Sequence, residues 1–271
     1  LDRAGESYTA GDVVKLYLTP SNREDFFTFT RMLIGQLRQV GKTHTAERYV
    51  TVMNSFGRFR RENELLWEEV DSDLMVEYET YLKSRGVCPN TSSYYMRGLR
   101  AIYNRAVEKG KTVQREPFKY VYTGIDKTIK RAVPLKVIRQ IRDLDLTLFP
   151  TMDFARDIFM FSFYTRGMSF IDMAYLKKKD LQGGTLSYRR QKTGQQLFVK
   201  WEKPMQEIVD KYNTNGTPYL LPIIRDMNAD IRRQYKNAAH LVNDKLKKLG
   251  EKLGLTVPLT SYVARHGWAS N

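Results

Sequence analysis

Three cationic side chains could take part in one site, namely two arginines in apolar settings and a lysine on a turn, where a lysine is ordinarily solvated. Arg166 follows an apolar helical stretch in FYTRGMSFIDMAYL, and Arg265 lies in the largely apolar segment TSYVARHGWAS. Lys192 lies on the turn of a segment with the alternating pattern of a β-hairpin. A charged group in an apolar setting is costly unless it is paired or reaches into a site. Each residue alone has an ordinary structural explanation, but together they indicate a cationic site that suits an anionic ligand.

The charge of the whole chain favours a polyanionic partner. The 271 residues include 45 Lys and Arg against 30 Asp and Glu, which gives a formal net charge of +15. Each contact between a cationic side chain and a phosphate releases condensed counterions, so this excess indicates nucleic acid. A basic but unspecific surface is the alternative, because net charge alone does not define a site.

The composition excludes several other classes of protein. Cys88 is the one cysteine and there are three histidines, so we expect neither an internal disulfide nor a metal site, and no cofactor. The longest apolar stretch, around residues 158–164, is far too short to span a membrane. These features predict a soluble protein of a reducing cytoplasm.

Four helices are predicted between Asp25 and Gly110, because apolar residues recur there at helical spacing and capping residues precede two of the runs. They form a compact all-α domain, which we assign to residues 1–110. The predicted helices are Asp25–Gln39, Thr43–Arg61, Asp71–Arg85 and Asn90–Lys109.

The segment KGKTVQREPFKYVYTGIDKTIKR has neither helical nor strand periodicity and carries many more basic than acidic residues. It predicts an extended basic linker over residues 111–133, which suits a connection lying along DNA phosphates. A simple solvated tether is the alternative.

Residues 134–271 have a mixed pattern that predicts a mainly α, α+β domain with a small β-hairpin sheet. The hairpin is TLSYRRQKTGQQLFVKW, and Gly194 provides its turn. Helices are predicted at Leu135–Asp143, Asp153–Tyr164, Ser169–Leu176, from Pro204, at Asn228–Leu253 and from Thr260 or Ser261.

The segments RGMSFIDMAYL and TSYVARHGWAS, with the hairpin lysine between them, resemble the tyrosine recombinases, which are phage-integrase-like site-specific DNA recombinases. More narrowly, they resemble integrases of mobile elements in Bacteroides-type bacteria. The resemblance covers most of the chain and implies a SAM-like core-binding bundle, a linker and a catalytic domain. It also implies DNA recombination or integration through a 3′-phosphotyrosine intermediate, with double-stranded DNA bound by a homo-tetramer.

The resemblance assigns a role to each cation. Arg166 and Arg265 would stabilise the charge on the phosphate in the transition state, and Lys192 would protonate the departing 5′ oxygen. Ser169 occupies the usual register of the first arginine, so Arg166 is either a displaced functional residue or a structural one. Tyr262 stands where the family has histidine, and His266 is expected to support the site from the core.

The attacking tyrosine of the family lies beyond the second arginine. We therefore expect a fragment that lacks this residue, is truncated at its C-terminus and is inactive by itself, unless a neighbouring subunit supplies the tyrosine. Within the chain, Tyr164, Tyr188 and Tyr235 have the patterns of core or strand residues.

Contacts with DNA are expected at helix starts and on polar helix faces of the first domain. Two other functions stay open, namely an inactive DNA-binding accessory protein and a strand-passing topoisomerase. The expected DNA contacts are Lys42, Thr43, Thr45, Arg48, Asn90, Thr91 and Arg97.

Overall fold

The computed structural model describes residue 9 and residues 25–61, 64–127 and 132–270. The chain divides into two compact units between residues 128 and 129.

The described part of the first unit contains four long helices, as predicted. Asp25 begins the first of them by accepting hydrogen bonds from the backbone N–H groups of Phe27 and Thr28. Asp71 caps the third helix by accepting from Leu74 N–H. The helices are α1 (Phe26–Gln39), α2 (Thr43–Arg60), α3 (Ser72–Ser84) and α4 (Pro89–Glu108), with a short 3₁₀ helix at Trp67–Glu69.

Aromatic rings fill the core of the first unit. Phe56 is fully buried and contacts Tyr78 edge to face with ring centroids 4.9 Å apart. The Tyr78 hydroxyl donates to Ser55 Oγ at 2.7 Å, so burial leaves the phenol with a partner. Gly98 lets α4 approach α2, because a Cβ atom there would lie 2.5 Å from Val52 Cγ2.

The described part of the predicted basic linker packs on the first unit. Phe118 and Val121 are buried in its core. The N–H group of Tyr122 donates to the carboxylate of Glu79 on α3 at 2.8 Å. The prediction of an extended chain rested on charge and overlooked these apolar anchors. The residues 128–131 of the same segment lie outside the described ranges.

The second unit is mainly helical around the apolar helix α6. Ile158, Phe159 and Phe161 of this helix are completely buried. Its buried carboxylate, Asp157, accepts from Lys211 Nζ at 2.8 Å and Tyr212 Oη at 2.7 Å, which compensates its removal from water. The helices are α5 (Leu135–Arg142), α6 (Pro150–Tyr164), α7 (Phe170–Tyr175), α8 (Lys203–Asp210), α9 (Ile231–Lys252) and α10 (Ser261–Ser270).

A three-stranded antiparallel sheet lies between α7 and α8 in the chain. Its strands are β1 (Leu181–Gln182), β2 (Thr185–Arg189) and β3 (Gln196–Lys200), in that order. The predicted hairpin is β2 and β3, with Gly194 at a φ of 70° in the connecting loop. Strand β1 was not predicted, because two residues are too few to show a strand period.

Candidate active site

The turn after α6 holds Arg166 in an unusual backbone conformation. The N–H of Arg166 donates to Phe163 O at 3.2 Å, and the N–H of Gly167 donates to Ser162 O at 2.7 Å. This pair of bonds is a Schellman ending, in which the left-handed position is most often glycine. Arg166 occupies that position with a φ of 60° and has an exposed side chain. Residues in such strained positions are concentrated at functional sites.

Gly167 brings this turn against α10. Its φ is 74°, and a Cβ atom on it would lie 2.9 Å from the Cα of Arg265. The start of α10 is also fixed, because Asn243 Oδ1 of α9 accepts from the N–H and hydroxyl of Ser261 at 2.9 and 3.1 Å. The turn and the helix that carry the two predicted arginines therefore pack directly against each other.

Asp172 ties the hairpin loop to the same region. This carboxylate is buried, and it accepts from Ser169 Oγ at 2.5 Å and from the Gln191 N–H at 2.8 Å. Ser169 is the N-cap of α7. The Arg190 Nε lies 4.0 Å from Asp172 Oδ2, at the border of an ion pair. Asp172 thus fixes the part of the loop from which Arg190 projects.

These elements form the walls of an open cleft in the second unit, with a cavity volume of about 510 Å³. Three arginines contribute to the lining of this one cleft, which favours an anionic ligand. Leu197, Phe198 and Trp268 also line it. The polar residues of the lining are Thr165, Arg166, Tyr188, Arg190, Gln195 and Arg265.

The phenol of Tyr188, which lines the cleft, interacts with three charged groups of the second unit. Burial and the negative charge of Asp172 raise the pKa of its phenol to about 12, whereas Arg190 and Arg265 act in the opposite direction. Both guanidinium groups therefore lie within electrostatic reach of this hydroxyl. The phenol is protonated near neutral pH.

The structure brings together two of the predicted catalytic residues, Arg166 and Arg265. Lys192 is exposed on the hairpin loop and does not line the cleft. Tyr262 and His266 also lie outside its lining, and their rings contact each other edge to face with centroids 4.6 Å apart. One turn of helix separates these two residues, so they share a face of α10.

Arg190 is the residue of the cleft that sequence reasoning missed. It lies beside Arg189 at the end of β2, where a pair of arginines has the pattern of a solvated strand end. The two side chains differ in the fold, because Arg190 lines the cleft and Arg189 donates to Gly194 O at 3.1 Å. No local pattern in the sequence separates these two arginines.

The expected DNA contacts of the first unit have mixed environments. Lys42, Thr43 and Thr45 are exposed around the start of α2. The guanidinium of Arg48 lies 5.1 Å from the centroid of the Tyr94 ring. Asn90, Thr91 and Arg97 on α4 are partly exposed and interact within the unit. Asn90 exchanges hydrogen bonds with the backbone of Asp126. Thr91 Oγ1 lies 3.2 Å from Cys88 Sγ, and Arg97 Nε donates to Ser93 O.

The described residues contain no group of three or more His, Cys, Asp and Glu residues that could hold a metal ion. No helix among them is long and apolar enough to cross a membrane.

Comparison with known proteins identifies the fold. Residues 25–128 match the family described as the phage integrase SAM-like domain. No curated protein sequence matches the chain. The match confirms that the first unit has the predicted SAM-like helical fold.

Solved integrase structures share the fold over most of the chain at low sequence identity. A lambda integrase dimer bound to a COC′ core site has a TM-score of 0.67 and 14% identity, over 90% of this chain and 88% of that one. A lambda integrase tetramer bound to a Holliday junction has a TM-score of 0.67 and 14% identity, over 98% and 77%. The Tn1549 transposon integrase with transposon right end DNA has a TM-score of 0.61 and 14% identity, over 91% and 85%. The predicted fold class is confirmed.

Proposed function

We propose that the chain carries the core-binding and catalytic units of a site-specific DNA recombinase of the tyrosine type. The observation that carries this proposal is the convergence of Arg166, Arg190 and Arg265 in one cleft, in a chain that also has an integrase SAM-like domain. The enzyme cuts and rejoins DNA through a 3′-phosphotyrosine intermediate.

The chemistry requires a cationic cleft. A tyrosine oxygen releases its phenolic proton to solvent and attacks the phosphorus, its bond to the phosphorus forms, and the bond to the 5′ oxygen breaks. Negative charge gathers on the non-bridging oxygens in the transition state, where guanidinium groups donate paired hydrogen bonds. Lys192 gives a proton to the departing 5′ oxygen. Reversal by a 5′ hydroxyl rejoins the strand without an external energy source.

The roles of the arginines follow from their environments. Arg190 and Arg265 bind the non-bridging oxygens, because both line the same cleft and the charges of both act on the same phenol. Arg166 completes the set from the strained turn. Ser169, in the usual register of the first arginine, serves as the cap of α7. Tyr262 and His266 support α10.

Double-stranded DNA is the proposed partner of the first unit. Lys42, Thr43 and Thr45 are exposed at a helix N-terminus, a position suited to phosphate oxygens. Arg48, Asn90, Thr91 and Arg97 extend this surface to α4. By analogy with the lambda integrase tetramer on a Holliday junction, we propose a homo-tetramer on DNA. The proposed setting is a mobile element of a Bacteroides-type bacterium, with the protein acting in the cytoplasm.

A DNA-binding accessory protein without catalysis is the second candidate. It is favoured by Tyr262, which replaces the histidine of the family pattern and is 60% exposed outside the cleft. A phenol is a poor base near neutral pH.

Formation of a covalent protein–DNA adduct distinguishes the recombinase from the accessory protein. The protein translated from its complete reading frame is incubated with DNA from the ends of its own element, and protein–DNA adducts are measured on a denaturing gel. We expect an adduct in the wild type, at least about 10²-fold slower formation in Arg265→Ala, and slower formation in Lys192→Ala.

Arg139→Ala is the matched control, because this exposed arginine belongs to the same unit but not to the cleft. We expect the control to form adduct at the wild-type rate. Tight DNA binding without any adduct would reject the recombinase and favour the accessory protein.

A further inference from the structure

Tyr188 is a buried tyrosine whose hydroxyl has no assigned task in the fold. The residue is 7% exposed, and no side-chain hydrogen bond of the described residues involves its hydroxyl. The hydroxyl oxygen is not among the buried polar atoms that lack a partner in the described part of the chain, so it is accessible to solvent. Tyr78 and Tyr103 of the first unit, in contrast, each donate a hydrogen bond of 2.7 Å within the fold. The Tyr188 hydroxyl is therefore available to bind a ligand.

The position of Tyr188 indicates the class of ligand. The residue lies on β2 opposite Leu197 of β3, and both line the cationic cleft together with Arg190 and Arg265. The charges of these two arginines also act on the phenol. An anion bound by both arginines in the cleft would therefore lie beside Tyr188.

The protonation state decides what this group can do. With a pKa raised to about 12 by burial, about one phenol in 10⁵ is ionised at pH 7. A neutral phenol is a hydrogen-bond donor and a weak nucleophile. Donation to an anion would also satisfy the hydroxyl.

We propose that Tyr188 is a further catalytic residue, which donates its hydroxyl hydrogen to a non-bridging oxygen of the DNA phosphate held by Arg190 and Arg265. This inference rests on the proposed function. The bond strengthens as negative charge develops on that oxygen, so the donor contributes more to the transition state than to DNA binding. The residue forms no covalent bond and loses no proton.

The substitution Tyr188→Phe removes the hydroxyl and keeps the ring that packs in the sheet. Single-turnover cleavage of element-end DNA is measured for the wild type and the variant, together with DNA affinity and thermal unfolding. We expect cleavage to fall by about 10 to 100-fold, with DNA affinity unchanged. A variant that cleaves within twofold of the wild type overturns the proposal.

Tyr175→Phe is the matched control. Tyr175 is a half-buried tyrosine of the same unit that packs against the rings of Tyr219 and Tyr235, outside the cationic cleft. Its variant is expected to cleave DNA at the wild-type rate. An equal loss in both variants would show that the effect is structural and would also overturn the proposal.

Binding of inorganic vanadate gives a readout that does not depend on cleavage. Calorimetry on the wild type, Tyr188→Phe and Arg265→Ala tests whether the cleft binds an oxyanion through both residues. We expect weaker binding in both variants. If the wild type binds vanadate through Tyr188 but never cleaves DNA, the proposed function fails and the assignment of Tyr188 stands. No binding to the wild type, or equal binding to the wild type and Tyr188→Phe, overturns that assignment.

Discussion

The two units use their polar side chains in different ways. In the first unit, the carboxylates and amides described above mostly complete the fold, as when Asp25 caps α1 and Asn90 holds the backbone of Asp126. In the second unit, Arg166, Arg190 and Arg265 line one cleft, and none of them makes a side-chain hydrogen bond to another described residue, although Arg190 lies 4.0 Å from Asp172. The contrast indicates that the second unit places positive charges together although this arrangement is unfavourable for the stability of the fold.

The cost in the second unit has two sources. Arg166 occupies a left-handed backbone position, and three like charges share one cleft. Two tertiary contacts hold these residues in place. Gly167 packs against α10, and Asp172 accepts a hydrogen bond from the hairpin loop. We therefore expect substitutions at these positions of the second unit to change DNA cleavage more than stability, and substitutions in the first unit to change mainly stability.

The largest combined effect on stability and DNA cleavage is expected for Asp172→Ala. The change leaves the Gln191 N–H and the Ser169 hydroxyl without their buried acceptor, at a cost of about 1 to 3 kcal/mol in the free energy of unfolding. The loop that carries Arg190 is released as well, so DNA cleavage should fall further than the stability loss explains. Denaturant unfolding and single-turnover cleavage measure the two effects.

Ser169→Ala provides the control for this change, because it removes one donor and leaves the bond between Asp172 and Gln191. If both variants lose activity only in proportion to their unfolded fraction, Asp172 has no positioning role.

Arg166→Gly should separate stability from activity. Glycine adopts the left-handed conformation without steric cost, so the variant should be more stable by about 1 kcal/mol. It should nevertheless cleave DNA more slowly, because a guanidinium is lost from the cleft.

The first unit offers a matched site for this test. Arg61 ends α2 with a φ of 55°, and Arg61→Gly should also gain stability. Its cleavage rate should not change. Equal cleavage by Arg166→Gly and the wild type would assign Arg166 a structural role.

The smallest effect is expected at the cap of α1. Burial alone would raise the pKa of Asp25, but hydrogen bonds from Thr28 and Phe27 outweigh it and hold this pKa below its ordinary value of 3.8. A carboxyl with a lowered folded-state pKa stabilises the fold above its unfolded-state pKa, and this stability is lost as the pH falls through the folded value.

Asp25→Ala should therefore cost about 1 kcal/mol at neutral pH, and the difference from the wild type should shrink below about pH 4. Thermal unfolding as a function of pH measures it. Asp73→Ala, at an exposed position in the first turn of α3, is the control and should cost less stability. A pH-independent cost at Asp25 would contradict the capping account.

Helical periodicity was enough to predict the elements of the first unit. The stripes and the caps Asp25 and Asp71 define where its helices begin, and these are local signals. The segment containing Phe118 and Val121 was misjudged because its charge is visible in the sequence and its docking on α3 and α4 is not. The hairpin and its Gly194 turn were equally local and were predicted.

The cleft depends on contacts between residues far apart in the chain. Arg190 and Arg265 line one cleft. The hydrogen bond from Gln191 to Asp172 positions the loop that carries Arg190, and the close packing of Gly167 on α10 positions the helix that carries Arg265. Neither contact has a periodic signature. The sequence therefore predicted two arginines of the cleft and missed the third, whereas the proximity of Tyr188 to them required coordinates.

The most direct test of the cationic cleft compares two adjacent arginines. Arg190 lines the cleft and Arg189, one residue earlier, bonds the backbone of Gly194 outside it. Single-turnover cleavage of element-end DNA is measured for Arg190→Ala and Arg189→Ala, with DNA affinity determined in parallel. We predict a loss of at least about 10²-fold for Arg190→Ala and a rate within threefold of the wild type for Arg189→Ala. Equal rates in the two variants would contradict the claim that the cleft holds the reacting phosphate.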